Sequence, residues 1–201
     1  MVGVVVYVLV DVVLQFLPPY YSPITDAESN LAVGPYGWVM NLNFLGRAVT
    51  SFAAVGALFS VTRMNRMRAR GPAPGLLIVG LALLVLGGVC SGVLAFFPTD
   101  VAPARNGATA VGTVHLIVAT VGFAVALVAI VLLTAWLYRS AHLPAVRGPA
   151  LAFSTLAVLG LLFLWLTLTV QPALFGLAER VCLLGILGWT YSVAAGIRRL
   201  D

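Results

Sequence analysis

Six apolar segments, most of them close to the length needed to cross a bilayer, dominate this sequence. They predict helices at 2–17, 38–62, 74–97, 110–138, 149–170 and 175–197. A helix needs about 20 apolar residues to cross a hydrocarbon layer of ~30 Å, and the runs lack the alternation of a transmembrane β-barrel. Only 8% of the residues are charged, too few to cover a water-soluble domain. The sequence therefore predicts an all-α, polytopic membrane protein, with residues 1–201 forming a single six-helix transmembrane domain.

The basic residues are all arginine, and they gather in alternate connections. Eight of the eleven lie in segments 63–73 and 139–148 and at the C-terminus. Because cytoplasmic loops of membrane proteins are enriched in arginine and lysine, we predict a multi-pass protein of the cell membrane with both termini in the cytoplasm. We interpret the basic segment RMNRMRAR as an orientation signal that contacts lipid headgroups, so membrane lipids are the expected partners and nucleic acid is not. Further membrane subunits or a second copy of the chain remain open as partners.

Asp11 and Arg47 are the clearest ionisable residues inside predicted spans, where such groups are expensive. Each lies on a polar stripe with four-residue spacing, which places its members on one helix face: Tyr7, Asp11 and Gln15 on the first helix, and Asn43, Arg47 and Ser51 on the second. We expect Asp11 and Arg47 to approach each other, with Asn43 or His115 completing the hydrogen bonds. A structural pair, a ligand, proton or ion site, and two independent lipid-facing side chains remain alternatives.

Polar and charged groups are concentrated in the predicted outer half of the bundle and its loops. The candidate binding residues are Asp11, Asp26, Glu28, Asn43, Arg47, Asp100, His115, Glu179 and Arg180. This asymmetry predicts a polar pocket that opens outward rather than a charge-lined pore. The long outer segment 18–37 is either a solvated loop or a cap over that pocket, and Asp26 is expected to N-cap a short helix there.

Signatures of catalysis or metal binding are weak. His115 is the single histidine in a predicted span, suited to hydrogen bonding, acid–base work or metal ligation, but one histidine cannot form a three-histidine zinc site. The HExxH and GxSxG motifs are absent, so no catalytic residue is assigned and no metal or cofactor is expected. Cys90 and Cys182 lie within apolar runs and are predicted to be free thiols.

Four features in chain order resemble one known family: SPITDAESNLAVGPYGWVMNLNF at 22–44, FPTD at 97–100, the downstream His115, and GLAERV at 176–181. The family is the bacterial and archaeal membrane family catalogued as domain of unknown function 998, and the resemblance spans nearly the whole chain. It implies a compact helical membrane domain, typically with six spans. The family has no established activity, so the resemblance implies no catalytic assignment.

Three functions compete. Binding or transport of a lipid headgroup or small solute comes first, with Arg47 as the anchor for an anionic group. An accessory or structural subunit of a membrane complex is second, because the chain has no soluble domain. An intramembrane hydrolase is third, with a base drawn from Asp11, Asp100, His115 or Glu179.

Overall fold

The fold is that of a helical bundle. The computed structural model describes residues 1–66, 74–101, 108–140 and 143–200, and within these ranges it contains no β-strand. Its helices are α1 (Val2–Leu14), α2 (Gly37–Arg66), α3 (Pro74–Leu94), α4 (Ala110–Arg139), α5 (Arg147–Thr169) and α6 (Phe175–Arg198). Short 3₁₀ turns at Glu28–Ala32, Pro144–Val146 and Pro172–Leu174 precede α2, α5 and α6. The all-helical class predicted from the apolar runs is confirmed.

Five of these helices, α2 to α6, are long and apolar enough to cross a membrane, which makes this a multi-pass membrane protein. The helix α1 is shorter than predicted. Its 13 residues span about 20 Å at 1.5 Å per residue, less than the ~30 Å of hydrocarbon. The prolines Pro18 and Pro19 explain the early end, because proline lacks an amide donor and disfavours helical backbone in the residue before it.

Small residues let α5 and α6 approach closely. A Cβ atom added to Gly160 would lie 2.5 Å from the backbone nitrogen of Cys182, and one added to Gly185 would lie 2.4 Å from that of Ala157. Such contacts are a common way for membrane helices to pack, since the backbones themselves meet. The α5–α6 pair therefore forms a rigid wall, from which the first turns of α6 reach the site described below.

The two ends of the bundle differ in chemistry. At one end, which we call the termini end, Met1 and Arg198 border the same groove. Toward this end the core is apolar, with one buried chain of hydrogen bonds in which Trp189 Nε1 donates to Thr134 Oγ1 at 2.8 Å and Thr134 contacts Ser154 at 2.8 Å. The opposite end, the loop end, bears segment 15–36 and most of the buried charge. The membrane side that each end faces remains a prediction from the arginine distribution, and Arg68, Arg70 and Arg105 lie outside the described residues.

Candidate functional site

Segment 15–36 folds down onto the start of α6. The backbone nitrogen of Leu177 donates to the carbonyl of Ile24 at 3.0 Å. Gly176 allows this approach, because a Cβ atom there would lie 2.3 Å from the carbonyl oxygen of Asp26. We call segment 15–36 the cap, because it packs onto the start of α6 at the loop end of the bundle.

Arg180 joins this cap to α6 and α1. Its Nη1 atom donates at 3.1–3.3 Å to three carbonyl oxygens, those of Pro23, Asp26 and Gly176. Its Nη2 atom donates to the hydroxyl of Tyr21 and lies 3.7 Å from Asp11 Oδ1. The pair of Arg180 with Asp11 is the one ion pair among the described residues. The predicted pairing of Asp11 with Arg47 is therefore wrong. Asp11 points to the side of α1 that meets α6, where Arg180 lies.

Three carboxylates interact electrostatically at the loop end: Glu28 in the cap, Glu179 on α6 and Asp11 on α1. Glu28 is 3% exposed, and its Oε2 atom accepts a hydrogen bond of 2.8 Å from the hydroxyl of Tyr7. The backbone nitrogen of Glu28 donates to Glu179 Oε2 at 2.6 Å. Burial, and then the negative charges of Asp11 and Glu179, raise the pKa of Glu28 to about 8. The Glu28 side chain is therefore largely protonated at neutral pH.

Arg47 lies on α2 and contacts two neighbouring helices. Its Nε atom donates to Ser91 Oγ on α3 at 2.9 Å, and Ser91 Oγ donates in turn to the carbonyl of Phe44 at 2.9 Å. Its guanidinium carbon lies 5.6 Å from the centre of the Tyr7 ring on α1, within cation–π range. Asn43, one turn earlier, donates to the backbone carbonyl of Tyr7 at 3.0 Å. The α2 stripe thus faces α1 as predicted, but it meets Tyr7.

A cavity of about 40 Å³ adjoins Arg47 inside the bundle. A single water needs roughly 10–15 Å³ measured in this way, so the cavity has room for a few waters or a small ion. Its polar lining consists of Arg47, Thr50, Ser51 and Thr190, and none of the described residues that line it is acidic. Thr50 and Thr190 donate to carbonyls of their own helices at 2.8 and 2.9 Å.

Unused hydrogen-bond donors belong to two of these residues. Within the described part of the chain, the two Nη groups of Arg47 and the hydroxyl of Ser51 make no hydrogen bond. Thr50 and Thr190 also border a groove of about 540 Å³ that reaches Arg198 at the termini end. We use the name acid–arginine cluster for five charged side chains toward the loop end: Asp11, Glu28, Arg47, Glu179 and Arg180.

Two predicted site residues lie apart from the cluster. His115 is buried, and its Nδ1 atom hydrogen-bonds the carbonyl of Phe97 at 2.6 Å, which ties α4 to the end of α3. Asp100 is exposed and accepts hydrogen bonds of 2.9 and 2.8 Å from the backbone nitrogen and hydroxyl of Thr109, the N-cap of α4. Both side chains bind local backbone or capping groups rather than the other carboxylates.

Asp26 has a different local role from the one expected. The short helix does form, over Glu28–Ala32, but its N-cap is Ala27. The Asp26 carboxylate instead accepts a hydrogen bond of 2.8 Å from the backbone nitrogen of Ser22 and closes the turn before it. The predicted N-cap was one residue too early, because the Asp26 carboxylate is engaged by Ser22.

Tyr21 and Ser91 were not predicted as site residues. Tyr21 binds Arg180, and Ser91 binds Arg47. Neither residue belongs to a periodic polar pattern in the sequence. The signal that could have indicated them is that each lies at a depth similar to that of the arginine it binds. Cys90 and Cys182 are free thiols, as predicted. In the described ranges no three His, Cys, Asp or Glu side chains group closely enough to hold a metal ion.

Comparison with known proteins shows one match. The family described as "Protein of unknown function (DUF998)" matches residues 1–196. No similar chain was found among curated proteins or among solved structures.

Proposed function

The chain belongs to the DUF998 family, and because that family brings no activity with it, we propose a function from the geometry: binding and transport of a small anionic group at Arg47. The anionic group is either a free inorganic anion or the headgroup of an anionic lipid. The orientation predicted from the arginines places the capped loop end outside and the termini end in the cytoplasm.

The unused donors of Arg47 carry this proposal. A guanidinium group inside a membrane is expensive when its hydrogen-bond donors have no partner, and the described residues hydrogen-bond Arg47 through Nε alone. Its Nη groups and the Ser51 hydroxyl remain available beside a cavity with no acidic lining residue. Guanidinium forks bind oxyanions through paired, charge-assisted hydrogen bonds, so the donor set matches an anion.

The position of the cavity beside a groove is the basis for proposing transport as well as binding. Toward the termini end, Thr50 and Thr190 border both the cavity and the groove that reaches Arg198. Toward the loop end, the cap is held by Arg180. On this proposal, an anion at Arg47 would pass Thr50 and Thr190 to enter the groove.

The intramembrane hydrolase is less well supported. His115 binds a backbone carbonyl through Nδ1, and among the described residues it forms no ion pair or hydrogen bond with a carboxylate. The accessory-subunit alternative and a second copy of the chain as partner stay predictions, since no contact surface in the described residues favours either.

Anion binding by the purified protein in detergent tests the proposal. Chloride is the soluble probe and is titrated calorimetrically, and vesicles of phosphatidylcholine with phosphatidylglycerol are the lipid probe. We expect Arg47→Met to weaken binding by about 10–100-fold, the value of one charge-assisted hydrogen-bond partner of 1.5–3 kcal/mol. The matched control is Arg139→Met, which removes an exposed arginine from the end of α4.

The two probes distinguish the two sources of the anion. Saturable chloride binding that Arg47→Met abolishes supports a free anion. Binding of phosphatidylglycerol vesicles but not chloride, again lost in Arg47→Met, supports a headgroup. Absence of binding with both probes, or equal binding by Arg47→Met and Arg139→Met, refutes the proposed function.

A further inference from the structure

We propose that anion binding at Arg47 is coupled to proton uptake by the neighbouring carboxyl groups Glu28 and Glu179, so that this protein binds an anion and a proton together. The inference rests on the proposed function and adds its energetic coupling. It follows from the arrangement of charges around one tyrosine.

Tyr7 connects the arginine to the acids. Its hydroxyl donates to Glu28 Oε2 at 2.8 Å, and its ring faces the guanidinium group of Arg47 with 5.6 Å between the ring centre and the guanidinium carbon. Glu179 joins the same group, because its Oε2 atom accepts a hydrogen bond of 2.6 Å from the backbone nitrogen of Glu28. The positive charge of Arg47 interacts with the charges of both carboxylates. Because both carboxylates are attracted to the positive charge of Arg47, a bound anion would compete with them for that charge.

The charge balance favours a shared proton. Three carboxylates, Asp11, Glu28 and Glu179, interact with two arginines, Arg47 and Arg180, and Arg180 pairs with Asp11 at 3.7 Å. With both Glu28 and Glu179 ionised, the group has one excess negative charge, and an incoming anion adds a second. Net charge in a site of low dielectric constant is strongly disfavoured, so each anion that binds is expected to draw a proton onto the carboxyl groups.

Glu28 is the group best placed to accept that proton. The charged and titratable side chains that act on it come from the helices packed around it: Tyr7 and Asp11 on α1, Arg47 on α2, and Glu179 and Arg180 on α6. With a pKa of about 8, Glu28 is largely protonated at neutral pH. The positive charge of Arg47 is then available to an anion. Thermodynamic linkage requires the effect to be reciprocal, so a bound anion raises the proton affinity of Glu28 by the same factor that a bound proton raises the anion affinity.

Chloride affinity measured at two pH values tests the coupling, because chloride itself does not titrate. For one coupled proton and a pKa of about 8, we expect binding to be up to about tenfold tighter at about pH 6 than at about pH 9, since at pH 9 only about one tenth of the Glu28 carboxyl groups are protonated before the anion binds. If the lipid probe is the one that binds, the same comparison uses phosphatidylglycerol vesicles. Glu28→Gln is expected to bind tightly at both pH values, whereas Asp100→Asn, which neutralises an exposed carboxylate away from the cluster, keeps the pH dependence.

A second measurement does not need a variant. Addition of chloride to weakly buffered wild-type protein at about pH 9, where Glu28 is mostly ionised, is expected to raise the pH of the solution as protons are taken up, by up to one proton per bound anion. Anion binding that is independent of pH and takes up no proton overturns the coupling and leaves the anion site intact. Absence of anion binding at both pH values overturns the proposed function itself.

Discussion

Replacement of Arg180 by methionine provides the sharpest test of the cap. Arg180 donates hydrogen bonds to the carbonyls of Pro23, Asp26 and Gly176 and to the hydroxyl of Tyr21, and it pairs with Asp11. Methionine keeps the length and apolar volume of the side chain but removes every donor and the charge. The substitution leaves the Asp11 carboxylate and three carbonyl groups without their shared partner.

The expected decrease in the free energy of unfolding follows from the loss of this ion pair. Breaking a fully buried ion pair by removing one partner destabilises a protein by about 3–5 kcal/mol. The side chains of Arg180 and Asp11 are 18% and 14% exposed, so water compensates part of the loss and about 2–4 kcal/mol is expected. For a chain of this size, that corresponds to a decrease in Tm of roughly 5–15 °C.

Thermal unfolding in detergent, followed by tryptophan fluorescence, measures the effect. Arg198→Met removes an exposed arginine from the same helix and is expected to unfold like the wild type. Arg180→Met combined with Asp11→Asn is expected to recover part of the loss, because the unpaired charge is then gone. Equal Tm values for Arg180→Met and Arg198→Met would refute the assignment of Arg180 as the link between cap and bundle.

Three further predictions concern the same end of the molecule. Gly176→Ala is expected to destabilise the protein by about 1–3 kcal/mol, because the new Cβ would lie 2.3 Å from the carbonyl oxygen of Asp26; equal Tm values for this variant and the wild type would contradict the contact. The pKa of Glu28 is raised from 4.5 to about 8, so the folded state holds its proton longer than the unfolded state does. The free energy of unfolding is therefore expected to fall as pH rises through this window, and to change less in Glu28→Gln; a rise with pH in the wild type would contradict the burial of this side chain. Finally, a cysteine at Ala27 should react with a membrane-impermeant maleimide on intact cells and one at Leu200 only after lysis, and the reverse pattern would overturn the predicted orientation.

The helices and the membrane environment could be predicted from the sequence because both depend on local properties. Length and continuous hydrophobicity set the positions of α2 to α6, and the structure agrees with the predictions to within a few residues. The same local argument failed at the end of α1, where Pro18 and Pro19 stop the helix before the apolar run ends. The sequence also predicted that four charged residues lie in the same half of the bundle, because each lies near the same end of its helix: Asp11, Arg47, Glu179 and Arg180.

The partner of each charge depended on tertiary structure. Four-residue spacing shows that Tyr7 and Asp11 share a face of α1, but it does not show which helix lies against that face. In the folded chain Tyr7 meets Arg47 on α2, while Asp11 meets Arg180 on α6. The sequence by itself determined that buried charges gather at one end of a membrane bundle, since periodicity and depth are local. Only the order and rotation of the packed helices decided that Arg180 compensates Asp11 and that Arg47 keeps unused donors beside a cavity.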